Sequence, residues 1–204
     1  MASSPASLAA FVNNAVAFAK KYEFDGLDLD WELPNGPNDR TNFVTLIKAL
    51  RAKISTLQSP LLLTAAVAAY KPDVVACYSV PDLNQYLDWV SVMTYDFHGS
   101  WESVTGLHTA LTDSSAPDLS IKGAVSTWLS LGMSPGKVVL GLAAYGHEWQ
   151  LASPASHGVG ANAVDGGSQG GPITQVGVGI GVGGSCHRTL SSLDLRFGGA
   201  NVYE

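Results

Sequence analysis

Segments with the apolar pattern of β-strands alternate four times with helical segments, and few folds accommodate that order. Apolar residues recur at three- and four-residue spacing over residues 8–21, which predicts an amphipathic helix with Ser7 as the candidate N-cap. Strands are predicted at Phe24–Leu33, Leu61–Ala69, Asp88–Phe97 and Lys137–Gly146, and further helices at Phe43–Ile54, Leu83–Leu87 and Ile121–Leu131. Alternating strands and helices build parallel βαβ units, so the sequence predicts an α/β fold.

The composition argues against two classes of partner. The formal net charge is −6 and only 14% of the 204 residues are charged, so no cationic surface for nucleic acid is expected. No apolar run approaches the roughly 20 residues that cross a bilayer, so no membrane partner is expected either. Residues 1–14 also lack the basic and apolar regions of a signal peptide.

The first predicted strand carries an acidic face. Every second residue from Asp28 through Asp30 to Glu32 is acidic, and Leu29 and Trp31 lie between them. Side chains two apart on a strand point the same way, so the carboxyls form a row with successive members about 6 to 7 Å apart. Their mutual repulsion is relieved if at least one of them holds a proton at neutral pH. The row therefore indicates either a proton-handling device or a metal site.

A solvated strand face or a calcium loop would also place acids close together, but the sequence fits both less well. Solvated acidic faces are common, yet the flanking apolar residues favour a strand inside a sheet, where three acids would be costly without a function. An EF-hand calcium loop that began at Asp28 would need Gly in place of Leu33 and Glu in place of Asp39. The sequence meets neither requirement.

Three motifs resemble those of the family 18 glycoside hydrolases, which comprise chitinases and chitinase-like lectins. DGLDLDWE at Asp25–Glu32 resembles the family's acidic signature on the fourth barrel strand. Val92–Glu102 and Val138–Trp149 are similar to its sixth- and seventh-strand motifs, and the order is the same. The resemblance implies a (β/α)8 TIM barrel and an enzyme that hydrolyses β-1,4-linked N-acetylglucosamine.

The resemblance also implies catalytic roles for individual residues. Glu32 would be the general acid, and Asp30, with its neighbour Asp28, would orient the substrate's N-acetyl group. The acetamide oxygen would then attack the anomeric carbon in a retaining, substrate-assisted reaction without an enzyme nucleophile. Tyr95 would hydrogen-bond the acetamide. Predicted substrate-binding residues are Met93, Asp96, Tyr145 and Trp101, for each of which ordinary packing is the alternative.

The same resemblance sets expectations for partners and location. Chitin or chitooligosaccharide is the expected ligand, no cofactor is expected, and an extracellular location is expected. Leu33 and His147 depart from the family, because many active members have a tyrosine or another subsite residue at the first position and an arginine at the second. Leu33 and the partial length of the barrel favour a chitin-binding lectin without turnover as an alternative. An inactive fragment and an endo-N-acetylglucosaminidase that acts on N-glycans are further alternatives, and the latter would share the acidic strand.

The resemblance covers about Ser7–Thr174, which is only about half a barrel. We therefore predict an incomplete barrel with strands that resemble the fourth to seventh, over residues 1–150. Residues 151–204 are predicted to be a Gly-rich, insertion-like segment. From Gly171 this segment resembles the start of a small α+β insertion. Open barrel edges would favour association with another chain.

The histidines and cysteines add no further site. No metal site is predicted, since none of the histidines has metal-ligand spacing: His98, His108, His147, His157 and His187. Gly177–Gly184 has a loose dinucleotide-like spacing but follows no predicted strand. Whether Cys77 and Cys186 are paired stays open.

Overall fold

The computed structural model describes residues 1–164 and the backbone of two short strands near the C-terminus. The helices are α1 (Pro5–Lys21), α2 (Asp39–Ile54), α3 (Lys71–Cys77), α4 (Val80–Tyr86) and α5 (Ile121–Ser130). The strands are β1 (Gly26–Asp30), β2 (Leu62–Ala68), β3 (Trp89–Met93), β4 (Val138–Leu140), β5 (Arg196–Phe197) and β6 (Ala200–Asn201). The predictions for Gly171–Thr174, Gly177–Gly184 and Cys186 lie outside the described residues.

A four-stranded parallel sheet organises the first part of the chain. Its order is β1-β2-β3-β4, so strands that follow one another in sequence are also neighbours in the sheet. Asp28 is level with Thr64, Ala66 with Ser91, and Val92 with Leu140. The predicted parallel α/β arrangement is confirmed, and the carboxyl ends of all four strands lie at one edge.

The core lies between this sheet and its helices. The buried stripe of α2 recurs at three- and four-residue spacing and consists of Phe43, Leu46, Ile47, Leu50 and Ile54. On β2, Leu63, Ala65 and Val67 are completely buried. Trp128 of α5 is also completely buried, and its indole Nε1–H donates to the carbonyl oxygen of Ala68 at 3.0 Å.

Several element boundaries differ from the sequence-based predictions. Ser4, not Ser7, caps α1, since the Ser4 hydroxyl oxygen accepts a hydrogen bond from the Ser7 backbone N–H at 3.5 Å and Pro5 begins the helix. The apolar pattern did not predict α3, which is only seven residues long. The strands are shorter than predicted, so that Glu32, Tyr95 and Tyr145 follow strands rather than lie within them.

The position of β1 also differs from expectation. It pairs with β2 and forms one edge of the four-stranded sheet, whereas its apolar residues had favoured a strand inside a sheet. Leu27 and Leu29 are half-buried, and Asp28 and Asp30 are exposed. The alternation predicted from sequence is present, but the neighbour that would bury the strand from its other side is absent from the described residues.

The chain divides into two compact units. The first comprises Met1–Tyr95 and Thr112–Leu142, and the second comprises Asp96–Leu111 and Ala143–Glu204. In the second unit, antiparallel bridges join Val104 to Asn162 and Leu151 to Ala163. The predicted division at residue 150 stays a prediction. Within the described residues, none of the helices is both long and apolar enough to cross a membrane.

Candidate active site

The three predicted acids lie at the end of β1 and just beyond it. Asp28 and Asp30 belong to the strand, and Glu32 follows two residues after its last residue. All three residues are exposed. Thr64, opposite Asp28 on β2, donates its hydroxyl hydrogen to the Asp28 carboxylate. This bond anchors the first carboxylate of the row to the neighbouring strand.

Tyr95 and Met93 lie at the carboxyl end of β3. Met93 is the last residue of that strand and Tyr95 follows it. Gly141, just after β4, donates its N–H to the Val92 carbonyl oxygen at 2.8 Å. A β-carbon added to Gly141 would come within 2.9 Å of the Tyr95 ring. Because Gly141 has no side chain, the Tyr95 ring has room to pack against it.

Because the sheet is parallel, the segments that carry Glu32, Met93 and Tyr95 meet at the same edge, the carboxyl ends of β1 and β3. In (β/α)8 barrels this edge is where active sites are built. The structure thus places the acidic strand and Tyr95 in one compact unit, at the carboxyl edge of its sheet.

A series of aromatic contacts, most of them between buried residues, packs next to this edge. The Trp31 ring meets Phe43 edge-on at 6.1 Å between centroids, and Phe43 meets Tyr78 at 5.8 Å. Tyr78 meets Trp128 at 5.5 Å, and its hydroxyl oxygen accepts the Ala68 N–H at 3.3 Å. Both polar backbone groups of Ala68, the last residue of β2, are therefore held by aromatic side chains.

Tyr78 was not singled out from the sequence, and a tyrosine within an apolar stretch carries no local signal of this role. Burial is the main cause that raises the pKa of the Tyr78 phenol, and the charge of Glu32 contributes in the same direction as the smallest of the causes. Tyr78 therefore stays neutral and keeps its hydroxyl available for Ala68.

Asp96 is the centre of a polar cluster in the second unit. One carboxylate oxygen, Oδ1, accepts hydrogen bonds from the Tyr145 hydroxyl at 2.6 Å and from His147 Nε2 at 2.7 Å. Burial opposes ionisation of Asp96, but these hydrogen bonds and the nearby histidines outweigh it and hold the pKa of this carboxyl below its ordinary value. Asp96 has a positive φ of 59°, a conformation that Asp adopts more readily than most residues.

Trp101, the remaining predicted sugar-binding residue, belongs to the same unit. Its side chain is exposed, and its ring meets His147 edge-on at 5.4 Å. The ring covers Gly99, where an added β-carbon would come within 2.1 Å of it. Glu102 accepts hydrogen bonds from His98 Nδ1 at 2.9 Å and from the Gly99 N–H at 3.2 Å. The loop thus holds Trp101 with most of its side chain exposed.

Comparison with known proteins identifies the family. The sequence model of Glycosyl hydrolases family 18 matches residues 1–178. The chain belongs to this family. A class V chitinase of Lotus japonicus is 40% identical over 176 residues, which are 80% of this chain and 44% of the relative. Probable chitinase 2 of Drosophila melanogaster is 42% identical over 159 residues, 74% of this chain and 32% of the relative.

Solved structures of the family share the fold. A group IV chitinase of Ostrinia furnacalis in complex with allosamidin is 35% identical, with a TM-score of 0.78, over 86% of this chain and 50% of that one. The chain spans about half the length of such relatives or less. Its parallel sheet and helices therefore correspond to part of a TIM barrel, and the predicted incomplete barrel is confirmed.

His108 is the site residue that sequence reasoning missed. It is buried beside Asp96, with its Nδ1 at 3.7 Å from Oδ1 of that carboxylate. His108 and His147 are far apart in sequence, so no local spacing could pair them. Only the fold of the second unit brings both histidines to Asp96.

Proposed function

We propose that the protein to which this chain belongs is a chitinase that cleaves internal β-1,4 linkages of N-acetylglucosamine polymers with retention of configuration. The supporting observation is the complete DGLDLDWE motif with Glu32 exposed at the carboxyl edge of the sheet. Relatives at 35–42% identity that bear chitinase names support the substrate class. An extracellular location, which the family resemblance implies, is part of the same proposal.

In the proposed reaction, Glu32 donates its proton to the glycosidic oxygen of the leaving sugar. The acetamide oxygen of the adjoining sugar attacks its own anomeric carbon, the bond to the leaving oxygen breaks, and a cyclic oxazolinium ion forms. Asp30 orients the acetamide N–H, and the Tyr95 hydroxyl stabilises the acetamide from its other side. Glu32 then takes a proton from water, which opens the ring and restores the original configuration.

Substrate contacts are proposed for Met93 beside the reacting sugar and for Asp96 and Tyr145 in the second unit. The exposed face of Trp101 is suited to stack on a sugar ring, since aromatic faces pack on apolar surfaces. These assignments follow the family motifs residue by residue.

The proposal is tested by Glu32→Gln, which keeps the size of the side chain and removes the acid. Chitobiose release from a labelled chitooligosaccharide should fall by about 10² to 10⁴-fold, the usual contribution of general acid catalysis. Glu23→Gln, a matched change in the loop before β1, should leave release unchanged. Turnover that survives Glu32→Gln would show that the acid is elsewhere. Sugar binding by the parent chain with no product after long incubation would favour the lectin alternative.

A further inference from the structure

His108 is a buried histidine that joins two loops of the second unit. One of its hydrogen-bond partners, Asp96, follows β3, and the other, Tyr145, follows β4. The imidazole also packs against the rings of Tyr145 and His147, with centroids 5.2 and 4.9 Å away. Only 1% of the His108 side chain is exposed. The neighbouring residues, rather than solvent, therefore supply its hydrogen-bond partners.

The hydrogen bonds of His108 require one neutral tautomer. Its Nε2 lies 3.1 Å from the carbonyl oxygen of Tyr145, which can only accept a hydrogen bond, so Nε2 carries the proton. Nδ1 then accepts the backbone N–H of Asp96 at 3.4 Å. A doubly protonated imidazole has a hydrogen on both nitrogens and could not accept this N–H. Burial is the main cause that lowers the pKa of His108, and the charge of His147 adds to it, which favours the neutral form.

The same contacts fix the part of the chain that carries the Asp96 carboxylate. The carbonyl oxygen of His108 accepts the N–H of Phe97 at 3.0 Å, so two successive backbone N–H groups are bound to His108. Asp96 has a positive φ of 59°, a conformation that persists where the surroundings hold it. Its Oδ1 accepts from the Tyr145 hydroxyl, and its side chain is 45% exposed. His108 thus holds the backbone of both partners in this bond, and the carboxylate stays accessible to a ligand.

From this geometry we propose that His108 is a positioning residue of the hydrolase. It ties the backbone of Asp96 to that of Tyr145, and so fixes the Asp96 carboxylate to accept a hydroxyl hydrogen of a bound chitooligosaccharide. This role rests on the proposed function, which places Asp96 and Tyr145 against the substrate. His108 acts through these two residues and does not itself contact the sugar, because its ring is buried.

Three substitutions separate the two hydrogen bonds of the imidazole. His108→Asn places an amide oxygen near the position of Nδ1 and keeps an acceptor for the Asp96 N–H. His108→Gln places an amide nitrogen near the position of Nε2 and keeps a donor to the Tyr145 carbonyl. His108→Leu keeps neither. The affinity for N-acetylchitotetraose is measured by calorimetric titration of the full chain, with Glu32→Gln present in each case to slow turnover.

We expect His108→Leu to weaken sugar binding by about tenfold or more, since a misplacement of about 1 Å can cost up to 10²-fold. His108→Asn should recover most of the lost affinity, because it restores the bond that Asp96 itself makes, and His108→Gln should recover less. The bond from Phe97 to the His108 carbonyl does not depend on the side chain, so the variants should fold. Circular dichroism verifies this. His157→Leu, at an exposed histidine of the same unit, should leave the affinity unchanged.

Nitrogen-15 spectra of the histidine rings give a second measurement that needs no substrate. At neutral pH they should show His108 uncharged and protonated on Nε2, and the opposite tautomer would overturn the proposal. Folded His108→Leu that binds sugar as the unsubstituted residue does, equal losses in His108→Leu and His108→Asn, or no sugar binding by the Glu32→Gln chain would also overturn it. Turnover that survives Glu32→Gln would instead contradict the assignment of the acid alone, so the two failures are distinguishable.

Discussion

At the scale of single residues, Asp88 links three elements through one carboxylate. Its Oδ2 accepts from Arg51 of α2 at 2.8 Å and from the backbone N–H of Leu63 in β2 at 2.7 Å. Burial is the largest influence and opposes ionisation, but the two hydrogen bonds and the charges of Arg51 and Lys137 together lower the pKa of Asp88. Folding therefore favours the ionised carboxylate, and part of the stability depends on it.

The sign of this linkage gives a pH prediction. Because the pKa of Asp88 is lower in the folded chain, its stabilisation is present above the ordinary value of 3.8 and is lost as pH falls through the folded value. Asp88→Asn should lower the free energy of unfolding by about 1 to 2 kcal/mol at neutral pH, since it removes the negative charge that strengthens both hydrogen bonds at a half-buried position. Urea unfolding at neutral and acid pH measures this, and the difference should shrink in acid.

The control for the Asp88→Asn variant is Asp118→Asn, which should change the free energy of unfolding less. Asp118 is 3.6 Å from Lys71, and both side chains are 53% exposed. Surface ion pairs of this kind contribute at most about 1 kcal/mol. If Asp88→Asn unfolds at the same urea concentration as the parent at neutral pH, Asp88 does not stabilise the junction of α2, β2 and β3.

At the scale of elements, the carboxyl end of β2 depends on aromatic side chains. Tyr78→Phe removes only the hydroxyl that accepts the Ala68 N–H, so the free energy of unfolding should fall by about 1 to 3 kcal/mol, the cost of an unsatisfied buried group. Tyr22→Phe, at an exposed tyrosine of the same type, should have little effect. Chemical denaturation compares the two, and equal stabilities would show that the Tyr78 hydroxyl is dispensable.

The helices and strands also show which structural features the sequence patterns can predict. Period-2 alternation and short apolar runs predicted all four strands of the parallel sheet, because the apolar pattern of a strand reflects which of its faces are buried. The same patterns did not reveal that Ser4 caps α1 or that β4 ends at Leu140, since those boundaries depend on hydrogen bonds to particular partners. The motifs indicated Asp96 and Tyr145, but His108 joins them only through the tertiary fold.

At the scale of the whole molecule, exposed apolar surface and open strand edges occur together. Within the described residues, β1 and β4 are the two edges of the parallel sheet, and neither edge has a further strand paired with it. Phe18, Tyr22 and Phe24 form an aromatic cluster just before β1, and each is more than half exposed. Their ring centroids lie 4.7 to 6.5 Å apart. Unpaired edges and a contiguous apolar patch are the features through which chains associate.

We therefore expect the chain to associate with further copies of itself as its concentration rises. Each ring buried on association leaves water, and the gain is about 25 cal/mol for each Å² of apolar surface. Phe18→Ser combined with Phe24→Ser should shift the association to higher concentration, as measured by sedimentation velocity. Tyr70→Ser, at an exposed aromatic residue outside the cluster, should not. A parent chain that sediments as a monomer throughout the micromolar range would contradict this expectation, because open edges and exposed rings would then be tolerated without a partner.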